Sequence, residues 1–334
     1  MAQIWFRFAG SAASAGVLAA LLAGCGEPSP PPTPRADHAT PAPPEDWRPE
    51  PAETKPEASE RIIALTTDGT RLYWLRAEGQ RSLIMRQEVG GEGQTKLGQV
   101  SREAGHLAVD SGGVYWAEDD GVHRMEVEGG GAELLYATPD VITELHVDAT
   151  HVYIEREEAS LWRVPKTGGD EEAVVEASKD DDPLGGFAVD RTHVYWVTLL
   201  SGELRRKPKS GGPTEVLYEA ALEANLTARG QSVLVAENRF QSEQRFVVME
   251  VSKSGGKPTI AAEVAHPIQG LDATSDRVAV ISTPCQHTPC ESGLHASILV
   301  FEAGARIKEV VPSPSIRTVV AVGDEFWWTP NGRV

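Results

Sequence analysis

The sequence predicts an all-β fold, a β-propeller, from a recurring segment, a recurring glycine pair and recurring aromatic residues. The segment returns about every 40 residues, and its clearest copies are Leu107–Trp116, Leu145–Ile154 and Phe187–Trp196. Each copy ends in Val-Tyr followed by Trp or Ile, and a Gly-Gly pair comes after each. A period of this length with short strands and aromatic dipeptides is typical of propeller blades.

Each repeat divides into four predicted strands, which we call A to D. In the repeat that starts at Leu107, strand A covers 107–110, strand B 114–118, strand C 122–127 and strand D 133–137. Gly129-Gly130 joins C to D. Because glycine supplies the positive φ that two-residue hairpins need, this connection is well specified.

Strand B carries two adjacent apolar residues where a half-buried strand would alternate. Adjacent residues of a strand point to opposite faces, so both faces must be covered, as they are in a blade packed between two others. The pairs are Tyr73-Trp74, Tyr115-Trp116, Tyr153-Ile154, Tyr195-Trp196, Leu234-Val235, Ala279-Val280 and Trp327-Trp328. Only the first six continue into strands C and D. We therefore predict seven blades with the last one incomplete, and a six-bladed ring with the last pair packed irregularly is the alternative.

The amino terminus predicts export and lipidation. Residues 1–24 combine Arg7 with an apolar run, Ala12–Ala23, that is too short to span a bilayer, as in a cleaved signal peptide. The end of this segment, Leu22-Ala23-Gly24-Cys25, resembles a bacterial lipobox. That resemblance implies that Cys25 is diacylated and becomes the first residue, and that Gly26 after it directs the protein to the outer membrane.

A proline-rich linker is expected to follow the lipid anchor. Residues 26–60 contain eleven of the 23 prolines and almost no apolar side chains. Such a segment cannot bury enough surface to offset the entropy of ordering it. We expect residues 25–60 to form the lipidated cysteine and a disordered spacer, which leaves residues 61–334 for the propeller.

Composition argues against a nucleic-acid partner. The formal net charge is −18, and no basic stripe offsets it, so phosphate backbones are repelled. The chain also lacks a Gly-x-Ser-x-Gly elbow, a His-Glu-x-x-His pair, a phosphate loop and a dinucleotide fingerprint. We therefore assign no catalytic residue and no cofactor, although propeller active sites assembled from scattered loops need no such motif.

Cys285 and Cys290 are the two cysteines that remain if Cys25 is lipidated. In an exported protein an even pair at close spacing favours a disulfide. The alternative is a metal site that would use His287 and His295, but Cys-x4-Cys with one intervening His lacks the second ligand pair of structural zinc. We predict a Cys285–Cys290 disulfide.

The repeats resemble the YWTD and TolB-like propeller families, and in particular their bacterial lipoprotein versions. The resemblance covers about Ile62 to Thr329 and rests on the Val-Tyr-Trp and Leu-x-x-Asp elements. Arg229 and Thr274 stand where the fifth and sixth repeats should have Asp. The resemblance implies a binding scaffold, since a minority of these families are enzymes.

Charged residues that recur in each blade are expected to be structural. Asp at the end of strand A can bond turn amides, and Arg on strand C can pair across strands. These residues are Asp68, Asp110, Asp148 and Asp190, with Arg86, Arg124, Arg163 and Arg206. His151 and His193 fall in equivalent turns of different blades, while His106, His123 and His266 are treated as isolated, so we predict no metal site. The lysines before the glycine pairs, Lys166, Lys209 and Lys253, are expected to be solvated.

The predicted ligand site lies where the repeat varies. The residue that enters strand A varies between blades, and the B–C loops 237–245 and 283–295 are lengthened on the same rim of a propeller. We expect a ligand at the channel mouth on this rim. The candidate ligand-binding residues are His106, Glu144, Asn225, Gln269 and Arg317.

The sequence favours a non-enzymatic binding or protein-interaction module of the cell envelope, anchored to the membrane by lipid, with an envelope protein or glycan as partner. An enzyme acting on carbohydrate or peptide is the second hypothesis, which convergent carboxylates or histidines at the channel would support. An envelope assembly scaffold is the third, which a flat apolar rim would support.

Overall fold

The computed structural model describes residues 62–91, 93–102, 104–157, 160–176, 182–219, 225–239, 245–283, 296–302, 307–313, 318–328 and 332–333. The predicted signal peptide and linker, Cys25, the two cysteines of the predicted disulfide and Arg317 lie outside these residues. The described residues form 27 β-strands and no helix. Accordingly, no membrane-spanning helix is found among them.

The strands fall into seven sheets, or blades, in chain order. Blade 1 contains β1 (Ile62–Thr67), β2 (Arg71–Glu78), β3 (Arg81–Glu88) and β4 (Thr95–Ser101). Blade 2 contains β5 (Gly105–Asp110), β6 (Gly113–Glu118), β7 (Gly121–Met125) and β8 (Glu133–Ala137). Blade 3 contains β9 (Ile142–Val147), β10 (His151–Arg156), β11 (Ser160–Pro165) and β12 (Glu172–Val175). Blade 4 contains β13 (Leu184–Val189), β14 (His193–Thr198), β15 (Glu203–Pro208) and β16 (Glu215–Glu219).

The later blades follow the same plan. Blade 5 contains β17 (Leu226–Arg229), β18 (Ser232–Arg239), β19 (Arg245–Ser252) and β20 (Thr259–Val264). Blade 6 contains β21 (Ile268–Ala273), β22 (Arg277–Ser282), β23 (Ala296–Glu302) and β24 (Ile307–Ser313). Blade 7 contains β25 (Val319–Val322), β26 (Glu325–Trp328) and β27 (Gly332–Arg333).

The blades close into a ring. Neighbouring strands within every blade are antiparallel and consecutive. The first strands of successive blades contact one another, and β25 contacts both β21 of blade 6 and β1 of blade 1. The all-β propeller prediction is therefore confirmed, with six four-stranded blades and a seventh of three described strands.

The core lies between the blades, in seven clusters of buried apolar side chains. Tyr115 packs with Ile142 and Leu145 of blade 3, whereas Trp116, the next residue, packs with Leu75 of blade 1. The prediction that the two adjacent apolar residues of strand B point to opposite faces of the blade is thus confirmed. Each such side chain is buried between two sheets, which is worth about 1.5–3 kcal/mol per large apolar residue.

The paired glycines turn the chain between the third and fourth strands, but the connection is longer than the predicted two-residue hairpin, since residues 166–171 separate β11 from β12. Gly168 and Gly169 have φ of 78° and 120°, which places both in the region that disfavours side chains with a Cβ. The Gly168 amide donates to the Pro165 carbonyl at 2.9 Å. This hydrogen bond starts the reversal of the chain after β11.

The repeated aspartates fix the turn between the first and second strands. Asp148 Oδ1 accepts a hydrogen bond of 2.8 Å from the Thr150 amide, and its Oδ2 accepts one of 2.9 Å from the Tyr153 hydroxyl. Asp68 and Asp190 make the same two bonds within their own blades. This confirms the structural role predicted for the repeated aspartates.

The lysines before the glycine pairs join neighbouring blades, so the prediction that they are solvated is wrong. Lys253 Nζ of blade 5 lies 2.8 Å from Asp190 Oδ2 of blade 4 and 5.5 Å from the centroid of the Tyr195 ring. Its side chain is only 13% exposed. The equivalent pairs are Lys166 with Asp110 and Lys209 with Asp148. A lysine repeated in register can reach the preceding blade because the ring places the two turns side by side.

The repeated arginines make a second contact across the same blade junctions, from each blade to the one that follows it. Arg163 Nη1 of blade 3 donates to the Lys209 carbonyl of blade 4 at 2.7 Å, and its Nη2 lies 2.6 Å from Glu172 Oε2 on the adjacent strand. Arg86, Arg124 and Arg206 reach the equivalent carbonyls of their following blades. The predicted cross-strand pairing is confirmed for Arg124, Arg163 and Arg206, and the contact between blades is additional to it.

Candidate functional site

The predicted ligand-site positions lie where the chain enters the first strand of each blade. At several of these entries the pairing with the second strand is irregular. His106 falls at the shift between Gly105 and Leu107, and Gln269 falls at the shift between Ile268 and Gly270. Such bulges leave one residue out of the ladder and turn its side chain away from the regular alternation. The backbone at His106 and Gln269 therefore departs from the regular strand pairing of the blades.

Glu144 and Glu155 form the centre of the site. They face each other across the β9–β10 pair, and Glu155 is only 9% exposed. Burial, followed by the charge of Glu144 and a hydrogen bond shared with it, raises the pKa of Glu155 to about 8. Repulsion by the Glu144 charge and the hydrogen bond to Glu144 both favour the protonated form of Glu155.

His146 joins this pair from the first strand of blade 3. Its Nε2 lies 2.9 Å from Glu144 Oε1, while Glu144 Oε2 accepts a 3.3 Å hydrogen bond from the Phe187 amide of blade 4. The His146 ring meets the Phe187 ring edge-on, with centroids 4.6 Å apart. The carboxylate of Glu144 is therefore held between two blades.

His106 of blade 2 lies close to the same group. Burial lowers its pKa; the charge of Glu144 opposes that shift and the charge of His146 adds to it. Its side chain is nonetheless open to solvent, as a residue on a channel wall would be, and its φ is +35°, which is rare outside glycine. Two predicted site residues, His106 and Glu144, are thus brought together with two that the sequence analysis missed, His146 and Glu155.

Asp272, on the first strand of blade 6, is a further polar residue of the ring interior. Burial raises its pKa, while hydrogen bonds from the Ala321 amide at 2.7 Å and the Thr227 hydroxyl at 3.3 Å act in the opposite direction. The charge of His146 also lowers the pKa of Asp272, which places His146 and Asp272 within electrostatic reach. Polar groups from blades 3, 5 and 6 therefore face a common interior.

His146 and Asp272 could have been found in the sequence, because both depart from the repeat at the same position. In blade 2 the residue paired with the strand-B tyrosine is Ala108, whereas His146 holds that position in blade 3 and Asp272 in blade 6. A small apolar residue suits the packed interior, so a histidine or an aspartate there is not required by the fold. Reading that single position down the repeats would have identified both.

The remaining predicted residues do not join this group in the described structure. Asn225 is exposed, and its backbone carbonyl accepts a hydrogen bond of 2.8 Å from the Ala236 amide. Gln269 is also exposed. Arg317 lies outside the described residues. The site therefore centres on the blade 2, 3 and 4 side of the ring.

The group offers both a donor and an acceptor to a polar ligand. A neutral Glu155 carboxyl can donate a hydrogen bond, while Glu144 and an unprotonated histidine can accept one. Their partial burial strengthens such bonds relative to water. The arrangement suits recognition of hydroxyl, amide or ammonium groups.

Comparisons with known proteins identify the fold and no family. No family model matches the chain, and no curated protein matches it. Among solved structures, the β-propeller domain of Cps50 (Swd1) from Myceliophteria thermophila has a TM-score of 0.60 at 14% identity, over 82% of this chain and 95% of that one. YCF48 bound to a D1 peptide has a TM-score of 0.57 at 9% identity, over 81% and 90%. A chain of a nidogen–laminin complex has a TM-score of 0.50 at 16% identity, over 64% and 84%.

Proposed function

We propose that this protein is a non-enzymatic binding module of the bacterial cell envelope. It is exported, is anchored by lipid on Cys25 in the outer membrane, and binds an envelope protein or glycan at the mouth of the propeller channel. The lipobox-like segment and the proline-rich linker support the anchor and the spacing from the membrane. A structurally similar propeller, YCF48, carries a bound peptide, which is consistent with a protein partner.

The observation that carries the proposal is the group formed by Glu144, Glu155 and His146 beside His106. At the place of the Glu144–Glu155 pair, blade 2 has Gly105 opposite Ala117, and blade 6 has Gly270 opposite Ile281. The fold therefore does not require two carboxyl groups there. Burying Glu155 costs free energy unless a ligand or a neighbour compensates, which is a reason to assign the group to binding.

Cross-linking with mass spectrometry on intact envelopes tests this site. The mouth variant combines His106→Ala, Glu144→Ala and His146→Ala, three residues of this group. A matched control combines Arg191→Ala, Gln231→Ala and Lys257→Ala, three exposed residues on the turns of the opposite rim. We expect the mouth variant to lose the cross-linked partner and the control to retain it, with thermal unfolding showing that both remain folded. Loss of the partner in the control alone would place binding on the opposite rim.

A second candidate function is hydrolysis of carbohydrate or peptide, which the convergent carboxyl groups favour. A carboxyl group with a raised pKa next to an ionised one is a common acid–base arrangement. The test is product formation from envelope glycan fragments and from peptides, with Glu155→Gln compared with Glu157→Gln on the exposed turn that follows β10. Turnover that is lost only in Glu155→Gln would establish the enzyme and overturn the binding-module proposal.

A further inference from the structure

Three potential metal ligands meet at the turn between β6 and β7 of blade 2. One ligand atom from each of Glu118, Asp120 and His123 lies within 4.8 Å of the other two. His123 Nε2 is 2.7 Å from Asp120 Oδ1. The treatment of His123 as an isolated histidine was wrong, because the β6–β7 register pairs it with Trp116, two residues from Glu118.

Trp116 holds two of these ligands in place. Its indole Nε1 donates to Glu118 Oε1 at 2.7 Å, and its ring stacks with that of His123 at 5.7 Å between centroids and 20° between planes. The Ser101 amide of blade 1 also donates to Glu118 Oε1, at 3.4 Å. Since Trp116 is fully buried, it is a rigid support. Hydrogen bonds and packing of this kind orient the ligands of protein metal sites.

Two of the three ligands line an open cavity, and the third is exposed beside them. Glu118 and His123 line a cavity of about 660 Å³ at the junction of blades 1 and 2. The Asp120 side chain is 63% exposed, so a cation can enter without rearrangement of the core. Two arginines, Arg81 and Arg102, also line this cavity, and Arg102 is hydrogen-bonded to Gln80. The overall charge of −18 still favours the approach of a cation.

The donor set indicates which cation fits. One imidazole nitrogen with two carboxylate oxygens suits first-row divalent metals, whereas magnesium and calcium prefer oxygen ligands throughout. Both hydrogen bonds to Glu118 use Oε1, so Oε2 is the oxygen that can face the metal. Three protein ligands also leave at least one coordination position for water or an incoming ligand.

We propose that Glu118, Asp120 and His123 bind one divalent first-row metal ion such as Zn²⁺, with its remaining coordination position open to the cavity between blades 1 and 2. This site is separate from the Glu144 group and does not depend on the proposed function.

Calorimetric titration of Zn²⁺ into the full chain tests the proposal. The protein is purified in detergent, its free thiols are alkylated so that cysteine cannot bind zinc, and it is stripped with EDTA and dialysed. We expect one saturable equivalent of Zn²⁺. Asp120→Asn and His123→Ala should each weaken binding by about tenfold or more, since even indirect contacts to metal ligands change affinity by about 10–100-fold.

Two histidine variants provide matched controls. His151→Ala removes a histidine from a turn of blade 3, and His146→Ala removes the histidine of the Glu144 group; both should bind Zn²⁺ like the wild type. Because Asp120 is exposed, Asp120→Asn should leave the fold intact. Thermal unfolding of this variant verifies that any loss of metal binding is not a loss of the fold. The proposal is overturned if no saturable binding occurs, if Asp120→Asn and His123→Ala bind like the wild type, or if only His146→Ala loses the metal.

Discussion

Lys209 Nζ lies 2.6 Å from Asp148 Oδ2, although the two residues belong to different blades and are 61 positions apart. Both side chains are mostly buried, at 12% and 18% exposed. The pair joins the turn after β15 to the turn after β9, so it holds blade 4 against blade 3. Similar lysine–aspartate pairs occur at two further blade junctions.

Lys209→Met should destabilise the propeller. The change keeps most of the aliphatic contact with Tyr153 but leaves the Asp148 carboxylate without its cation, which costs about 1–3 kcal/mol for a buried group. Chemical denaturation monitored by tryptophan fluorescence at pH 7 measures the loss. The matched control is Lys257→Met at an exposed lysine, where we expect a change within about 0.5 kcal/mol. Equal stabilities of the two variants would show that the pair contributes nothing.

The same pair has a defined acid dependence. Burial acts to raise the pKa of Asp148, but hydrogen bonds from Lys209 and from the Thr150 and His151 amides outweigh it and hold the pKa well below 3.8. A depressed folded pKa contributes stability that is present above the unfolded value and is lost as the pH falls. The difference between the wild type and Lys209→Met should therefore shrink as the pH is lowered below about 3.8. A difference that grew in acid would contradict this assignment.

Glu155 should give the opposite pH dependence. Because its folded pKa is raised from 4.5 to about 8, the folded protein retains a proton that the unfolded chain has released. This contribution is complete below pH 4.5 and is lost as the pH rises towards 8. Each pKa unit corresponds to about 1.4 kcal/mol, so Glu155→Gln should gain at least about that much stability over the wild type between pH 5 and pH 8. Urea denaturation at both pH values measures the gain, and Glu157→Gln, an exposed neighbour, should show no such trend.

Lipidation of Cys25 is tested by metabolic labelling with palmitate. The Leu-Ala-Gly-Cys segment predicts that Cys25→Ser abolishes incorporation and leaves the chain unprocessed or released from the membrane fraction. Cys285→Ser serves as the matched control, since it removes a cysteine outside this segment and should be labelled normally. Unchanged labelling of Cys25→Ser would exclude the anchor.

Cys285 and Cys290 are predicted to form one disulfide. Peptide mapping without reduction, on protein isolated from the envelope, should find the two residues in one linked peptide. The enclosed loop is short, so loss of the bond should cost only about 2 kcal/mol by the loop-entropy relation. Two alkylatable thiols in the isolated protein would rule the bond out.

The local sequence is sufficient to predict the blades, because each of their features depends on residues that are neighbours in the chain. Tyr115 and Trp116 must point to opposite faces of a strand, and paired glycines such as Gly168 and Gly169 must turn it, whatever lies elsewhere. Repetition of these features therefore predicts a propeller and the position of its incomplete last blade. The role of the repeated aspartates was predictable for the same reason, since Asp148 bonds the turn that follows it in the chain.

Contacts between blades depend on closure of the ring, so the local sequence of one repeat does not predict them. The repeat shows that a lysine recurs at the position of Lys209. Whether its amine reaches Asp148 depends on the rotation between neighbouring blades. His146 and Asp272 lie on blades that are far apart in the sequence, and only the ring brings their side chains to one interior. Burial in the folded ring raises the pKa values of Glu155 and Asp272, and so the chemistry of the candidate site depends on packing that the sequence of a single repeat does not show.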